Sequence, residues 1–299
     1  MGVAISLTGV TKTFGTTVAV DHLDLEIPMG ALYGFIGPNG AGKTATLRMI
    51  MSILFPDRGE LSVLGRPAAV EAKDRIGYLP EERGVYRKMK VGAFLLYMAR
   101  LKGMKEFSPQ RAAAWLERLN LNGVQDRKCE ELSKGMLQKV QLIAAVLHEP
   151  DLLILDEPFS GLDPVNMRLL RELILAEHRR GATIIFSTHV MVQAEEICDH
   201  VVMLHKGRKV LDEDLVSVQR RHDPRALVFE PFDRGADASA LATLDGVEKI
   251  TRDGSTYRLD LREGADPVRV MRAAAEAVPP SRVEVHRPSL EDIFIGLVT

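Results

Sequence analysis

Cysteine is nearly absent from this chain: two among 299 residues, Cys129 and Cys198. They stand far apart and in no Cys-x-x-Cys spacing, which excludes a disulfide framework and a cysteine-ligated zinc site and fits a reducing compartment. Both are expected to be small buried hydrophobes. No apolar run approaches the ~18 residues of a membrane span, and no basic-then-apolar leader opens the chain. The chain is therefore expected to be soluble by itself, with any membrane role coming through a partner. Met1-Gly2 followed by Ser6 satisfies a loose myristoylation pattern, but residues 3–7 already read as a first strand. An excess of one charge is also lacking. With 39 Lys and Arg against 41 Asp and Glu, the net charge of −2 leaves no field to hold nucleic acid or an acidic membrane surface. Hydrophobic residues make up 46% and charged residues 27%, the balance of an ordinary globular protein, and the length suits one large domain or two.

What the chain does contain is Gly37-Pro38-Asn39-Gly40-Ala41-Gly42-Lys43-Thr44, a match to G-x-x-x-x-G-K-[ST]. The apolar run 32–36 before it reads as a buried strand, and Ala45 onward as a helix. Glycines at this spacing let successive N–H groups curl into one anion nest, and the helix N-terminus adds its positive dipole end. Lys43 is placed to reach the β- and γ-phosphates, and the Thr44 hydroxyl to ligand Mg²⁺.

Further acids fall where such a loop needs them. The apolar strand 152–155 runs into Asp156-Glu157-Pro158. An Asp at the carboxyl end of a strand beside a phosphate loop is placed to hold Mg²⁺, and the adjacent Glu157 is free to polarise a water. A second buried strand, 182–188, ends in His189, at the edge where open α/β sheets bind ligands. Phe14, before Gly15 in a turn, could be core; beside a phosphate loop it reads as a platform for a flat base. Glu81 follows Pro80 at the end of the strand 76–80, so its carboxylate can face the Mg²⁺ edge, with Arg83 or Arg87 as the offsetting cation. Ser133 caps a helix over 137–147. Strands are expected at 5–8, 18–20, 23–27 and 60–63. Helices are expected at 91–101, after Ser108-Pro109, and at 166–180 closed by Gly181. Trp115 reads as core beside Leu116 and Leu119.

In this order and spacing the motifs make residues 3–215 resemble the nucleotide-binding subunit of an ABC (ATP-binding cassette) transporter. The resemblance implies that Phe14 stacks on the base and that Gly37 to Thr44, with Ala45 behind it, is Walker A. It puts Glu81 in the Q-loop position and makes Leu152 to Glu157 the Walker B strand with its catalytic glutamate. Asp163 then belongs to the D-loop and His189 is the switch histidine. Leu132-Ser133-Lys134-Gly135-Met136 sits where the family has Leu-Ser-Gly-Gly-Gln, so Ser133, Lys134 and Gly135 meet nucleotide. Lys134, Met136, Ala45 and Glu81 depart from the usual residues but occur as tolerated variants in bacterial exporter-type branches. The implied protein is an active ATPase using ATP and Mg²⁺. Two chains pair head to tail, each nucleotide lying between one chain's Walker A and the other's Ser133 helix. Separate transmembrane permease subunits hold the pair peripherally on the cytoplasmic face of the cell membrane and couple it to export. The alternative, a soluble ABC ATPase acting on a ribosome or nucleic-acid complex, is disfavoured. The chain carries one cassette, and the stretch from Thr44 to Ser133 shows no heptads that would make a coiled coil.

Beyond Asp214 the cassette pattern ends. A polar linker, 219–224, leads to strand 226–230, helix 238–244, strands 247–252 and 257–261, helix 267–278 and strand 282–285. That is the β-α-β-β-α-β order of a ferredoxin-like domain. A last helix, 289–297, is expected to set Leu290, Ile293, Phe294 and Leu297 on one face. Such appendages resemble those of the drug- and sodium-efflux branch, where they would dimerise or regulate. The expected fold is thus α/β: an ABC ATPase core over 1–218, with a mixed sheet, an N-terminal antiparallel β part and a helical subdomain at about 85–147. A small ferredoxin-like α+β domain follows over 225–299.

Overall fold

The computed structural model describes residues 2–82, 84–221, 226–233, 238–286 and 289–298. Its chain divides into two compact units, parting between Leu215 and Val216.

The first unit opens with β1 (Val3–Phe14), β2 (Thr17–Pro28) and β3 (Leu32–Ile36), then α1 (Lys43–Ile50), β4 (Arg58–Val63) and β5 (Ile76–Leu79). Helices α2 (Val91–Leu101), α3 (Pro109–Arg118) and α4 (Lys134–Val146) follow, then β6 (Leu152–Asp156), α5 (Pro164–Arg180) and β7 (Thr183–Thr188). Finally come α6 (Met191–Glu195), β8 (His200–His205) and β9 (Arg208–Asp214), after which α7 (Leu215–Arg221) starts at the boundary and belongs to the second unit. Strands β2-β1-β4 form an antiparallel sheet, the N-terminal β part expected from the alternating pattern. The strands expected at 18–20 and 23–27 are one strand, β2. The interruption between them is a bulge at His22, whose φ of 52° lets the ladder shift register and continue. The second sheet runs β5-β6-β7-β3-β8-β9 and is parallel except for the β8–β9 pair. Its middle strands β3, β6 and β7 are buried at every residue, which is why they read as unbroken apolar runs rather than alternating ones.

The helix signals hold at the ends that matter. Ser108 Oγ accepts from Arg111 N with Pro109 in the first turn, and Ser133 Oγ accepts from Met136 N. Gly181, at φ 103°, closes α5. Trp115 corrects the reading from sequence. It is half-buried on the flank of α3, with the Arg118 guanidinium 5.0 Å from its ring centroid, while Ala112 and Leu116 supply the buried face. Both cysteines are buried and free.

The second unit holds β10 (Ala226–Pro231), β11 (Val247–Asp253), β12 (Thr256–Leu261), α8 (Pro267–Ala277), β13 (Pro280–His286) and α9 (Leu290–Val298). The sheet order β11-β12-β10-β13, antiparallel throughout, is the ferredoxin-like one. Leu227, Phe229, Leu241, Leu259, Val270 and Ala274 are among its core residues. The helix expected over 238–244 is only a 3-10 segment, Ser239–Thr243, cut short by Asp245-Gly246. In α9, Leu290 and Ile293 are buried but Leu297 is exposed, so the expected apolar face is narrower. The expected linker begins inside a helix, since α7 runs to Arg221; residues 222–224 lie outside the described residues.

Candidate functional site

The parallel register assembles the site. β6 pairs with β7 so that Asp156 faces Ser187, and β3 pairs with β7 so that Ile36 faces Thr188. The loop after β3, the acids after β6 and the histidine after β7 therefore leave the sheet at one edge. Residues 37–42 wrap from β3 to the start of α1. Two of the glycines are required by close approach: a Cβ on Gly37 would lie 2.2 Å from Leu204 O, and one on Gly42 would lie 2.5 Å from Ala19 O.

Lys43 is 6% exposed and donates from Nζ to Gly37 O at 2.7 Å and Pro38 O at 3.1 Å. Burial pulls its pKa down, while Glu157, Asp156 and Glu81 push back. Thr44 Oγ1 donates to Asp156 Oδ1 at 3.3 Å, and Ser187 Oγ donates to the same oxygen. The other carboxylate oxygen, Asp156 Oδ2, is buried without a hydrogen-bond partner. A buried anionic oxygen in that state is costly unless something positive meets it, so this oxygen and the Thr44 hydroxyl fit a hard divalent cation.

Glu157 sits at φ 50°, a left-handed conformation rare for a residue with a Cβ. The turn is held by its own N–H, which donates to Ser187 O at 3.2 Å and to Ser187 Oγ at 3.1 Å. Its Oε1 lies 3.0 Å from His189 Nδ1. Residues 39–45, with Ala19, Glu81 and Glu157, line a cavity of about 370 Å³. An anion nest, an ammonium, a cation-ready carboxylate and a carboxylate–imidazole pair thus converge on one opening, the set needed to bind and hydrolyse a nucleoside triphosphate.

Phe14, Ser133, Lys134, Gly135 and Asp163 stand apart from this cavity, and Glu81 lies at its rim. Phe14 lies at the hairpin tip, 49% exposed, with Lys12 Nζ 5.7 Å from its ring centroid. Ser133 and Lys134 are exposed at the N-terminus of α4, with Gly135 partly covered. Lys134 lines a separate cavity of about 310 Å³ with Gln138, Ser160, Glu81 and Glu157 among others. Asp163 caps α5: its carboxylate accepts from Asn166 N at 2.9 Å and from Asn166 Nδ2, and these bonds hold its pKa down. Glu81 is exposed at the rim. Arg83 or Arg87 is the cation expected beside it. Arg83 lies outside the described residues, and Arg48 pairs with Glu82 at 3.5 Å. The charge that the field of Glu81 reaches is Lys43.

Two residues escaped the sequence reading. Ser187 looks like one more small residue in β7; only the β6–β7 register reveals that it braces both Asp156 and Glu157. Gln138 donates from Nε2 to Pro158 O, and nothing in the sequence sets it apart from Gln141, an equally buried amide of the same helix.

Comparison with known proteins follows the same division. Residues 20–160 match the ABC transporter family model, and residues 215–298 match the C-terminal domain of DrrA1-3-like ATP-binding proteins. The ABC transporter ATP-binding protein YhaQ of Bacillus subtilis is 43% identical over 297 residues, 98% of either chain. The chain belongs to the ABC transporter ATP-binding proteins. As a member it binds and hydrolyses ATP. The Nod factor export ATP-binding protein I of a Rhizobium species (strain N33) is 34% identical, covering 99% of this chain and 97% of its own. A solved structure of an ABC transporter ATP-binding subunit superposes with a TM-score of 0.67 at 30% identity, over 73% of this chain and 92% of that one. Among the described residues no helix is long and apolar enough to cross a membrane.

Proposed function

We propose that this ATPase drives export through separate transmembrane permease subunits, as one half of a head-to-tail homodimer that closes on ATP at the cytoplasmic face of the membrane. The observation that carries the reading is the asymmetry of the site. Walker A, Asp156, Glu157 and His189 are assembled in one chain, while the helix end at Ser133 stands exposed and outside their cavity. A helix N-terminus with a Ser cap suits a γ-phosphate, and a second copy is the natural source of one. Export is supported by the relative whose name carries that activity.

In this reading the N–H groups of residues 37–44 and Lys43 hold the phosphates, and Phe14 stacks on the base. Mg²⁺ would be held by Thr44 and Asp156 Oδ2, with Glu81 reaching it from the rim through water. When bound there, Mg²⁺ supplies positive charge against the phosphate oxygens. Glu157 accepts the proton of the attacking water, and His189 holds that carboxylate in place through its 3.0 Å contact. Asp163, Lys134 and Gly135 act at the seam with the partner. Residues 1–218 form the cassette, 219–224 join it to the next part, and 225–299 add a domain that strengthens the pair.

Glu157→Gln keeps the shape and removes the base. It is expected to bind ATP and run as a dimer by light scattering while scarcely turning over. A monomer under saturating ATP overturns the dimer reading.

A further inference from the structure

Helix α4 buries three polar side chains, Gln138, Lys139 and Gln141, and of these Gln138 holds the turn behind Glu157. Gln138 is 7% exposed, in a helix whose Val140, Leu142 and Ile143 are fully buried. Its Nε2 donates to Pro158 O. Pro158 has no N–H, so this carbonyl is the single backbone group by which it can be held through a hydrogen bond. It directly follows Glu157, whose left-handed backbone is costly and needs support from both sides. Ser187 supplies that support before the residue and Gln138 supplies it after. The second atom of the amide, Gln138 Oε1, has no partner, and Gln138 and Glu157 line the same cavity of about 310 Å³.

Gln138 lies five residues after Ser133, about one and a half helical turns along a rigid rod. The first turn of that rod also rests on the loop behind Glu157. A Cβ on Gly135 would lie 3.3 Å from Leu162 Cδ2, and one on Gly161 would lie 2.4 Å from Lys134 Nζ. The helix end offered to the partner's nucleotide and the turn that presents this chain's own carboxylate are therefore one packed body.

We infer that Gln138 is a positioning residue for Glu157. Acting through Pro158, it makes the aim of the base depend on what docks at the Ser133 end of the same helix. ATP held in one site of the dimer then sets the base that serves the other site. This rests on the proposed roles of Glu157 and Ser133.

The test is steady-state ATPase kinetics of the full chain. Gln138→Met matches the side chain in shape and lacks the donor. It is expected to lower kcat roughly tenfold or more with the KM for ATP nearly unchanged. Gln138→His, which keeps an N–H donor, is expected to recover part of the loss. In a Glu157→Gln background, Gln138→Met is expected to cost nothing further, because the group it positions is already gone. Wild-type kcat in Gln138→Met beside a dead Glu157→Gln overturns this inference alone. So does a parallel loss of kcat and ATP affinity, or a full multiplicative loss in the double variant. Near-normal turnover in Glu157→Gln overturns the base assignment and this inference with it.

Discussion

The phosphate-loop end and the Ser133 end of the cassette are built differently. At the phosphate-loop end, the polar groups are buried and braced by neighbouring strands: Lys43 by the loop carbonyls, Asp156 by Thr44 and Ser187, Glu157 by Ser187 and His189. At the Ser133 end, a helix starts in the open, and Ser133 Oγ caps one of its N–H groups. Four donors begin every helix, and here they stand on an exposed helix end, whereas the open groups of the phosphate-loop end, its nest and Asp156 Oδ2, sit among buried and braced neighbours. The contrast teaches that burial pre-organises the chemistry, and that exposure leaves room for the second chain proposed above.

The largest effect expected belongs to the braced end. Glu157→Gln should lower kcat by about 10²–10⁴-fold, the usual worth of a general base, with ATP affinity maintained; turnover assays and calorimetry check this. Next, Lys43→Ala should weaken ATP binding by on the order of a hundredfold, since a buried ammonium on phosphate is a charge-assisted contact. Ser133→Ala should leave the ATP affinity of the monomer unchanged and abolish ATP-driven dimerisation. Equal loss of affinity in both variants, measured by calorimetry, would erase the distinction between the two ends.

Smaller effects sharpen the comparison. Glu81 is at the rim rather than in the braced set, so Glu81→Gln should change basal turnover only a few-fold, about 1 kcal/mol in barrier. Glu81→Ala should mainly remove stimulation by the permease, read by ATPase assays with and without the co-purified membrane partner. A separate effect, outside both ends, is on stability. His148 Nε2 lies 3.2 Å from Ile76 O, which Lys102 Nζ also meets at 2.6 Å. Burial, with Lys102 and Arg180 adding to it against Asp74, pushes His148 down from 6.5 to about 4. The unfolded chain then takes up a proton before the folded one. Stability is fully present above pH 6.5, is lost as pH falls from there to about 4, and levels off below. His148→Gln should flatten that slope by on the order of 3 kcal/mol, measured by denaturant melts across this range.

The sequence was most legible where chemistry forces residue type. The phosphate loop needs glycines and a lysine in one order, and the strand-end acids announce themselves after apolar runs. Helix caps at Ser108 and Ser133 and the glycine after α5 were equally readable, because local backbone bonds decide them. What stayed hidden depends on neighbours distant in sequence. Ser187 gains its role from strand register, and Gln138 from a carbonyl twenty residues away. Trp115 misled because its bulk suggested core when a guanidinium covers it at the surface. The helix expected at 238–244 failed for a similar reason: the composition permits one, but five residues before Asp245-Gly246 leave room only for a 3-10 segment.

The central claim is that each working site is made from the braced end of one chain and the open end of another. Mixing two inactive variants tests it most directly. A Lys43→Ala chain paired head to tail with a Ser133→Ala chain puts both lesions in one site and leaves the second site intact. The account predicts that the mixture recovers ATP turnover, up to roughly a quarter of wild type for random pairing of dimers. Turnover no higher than the average of the two variants alone would contradict it.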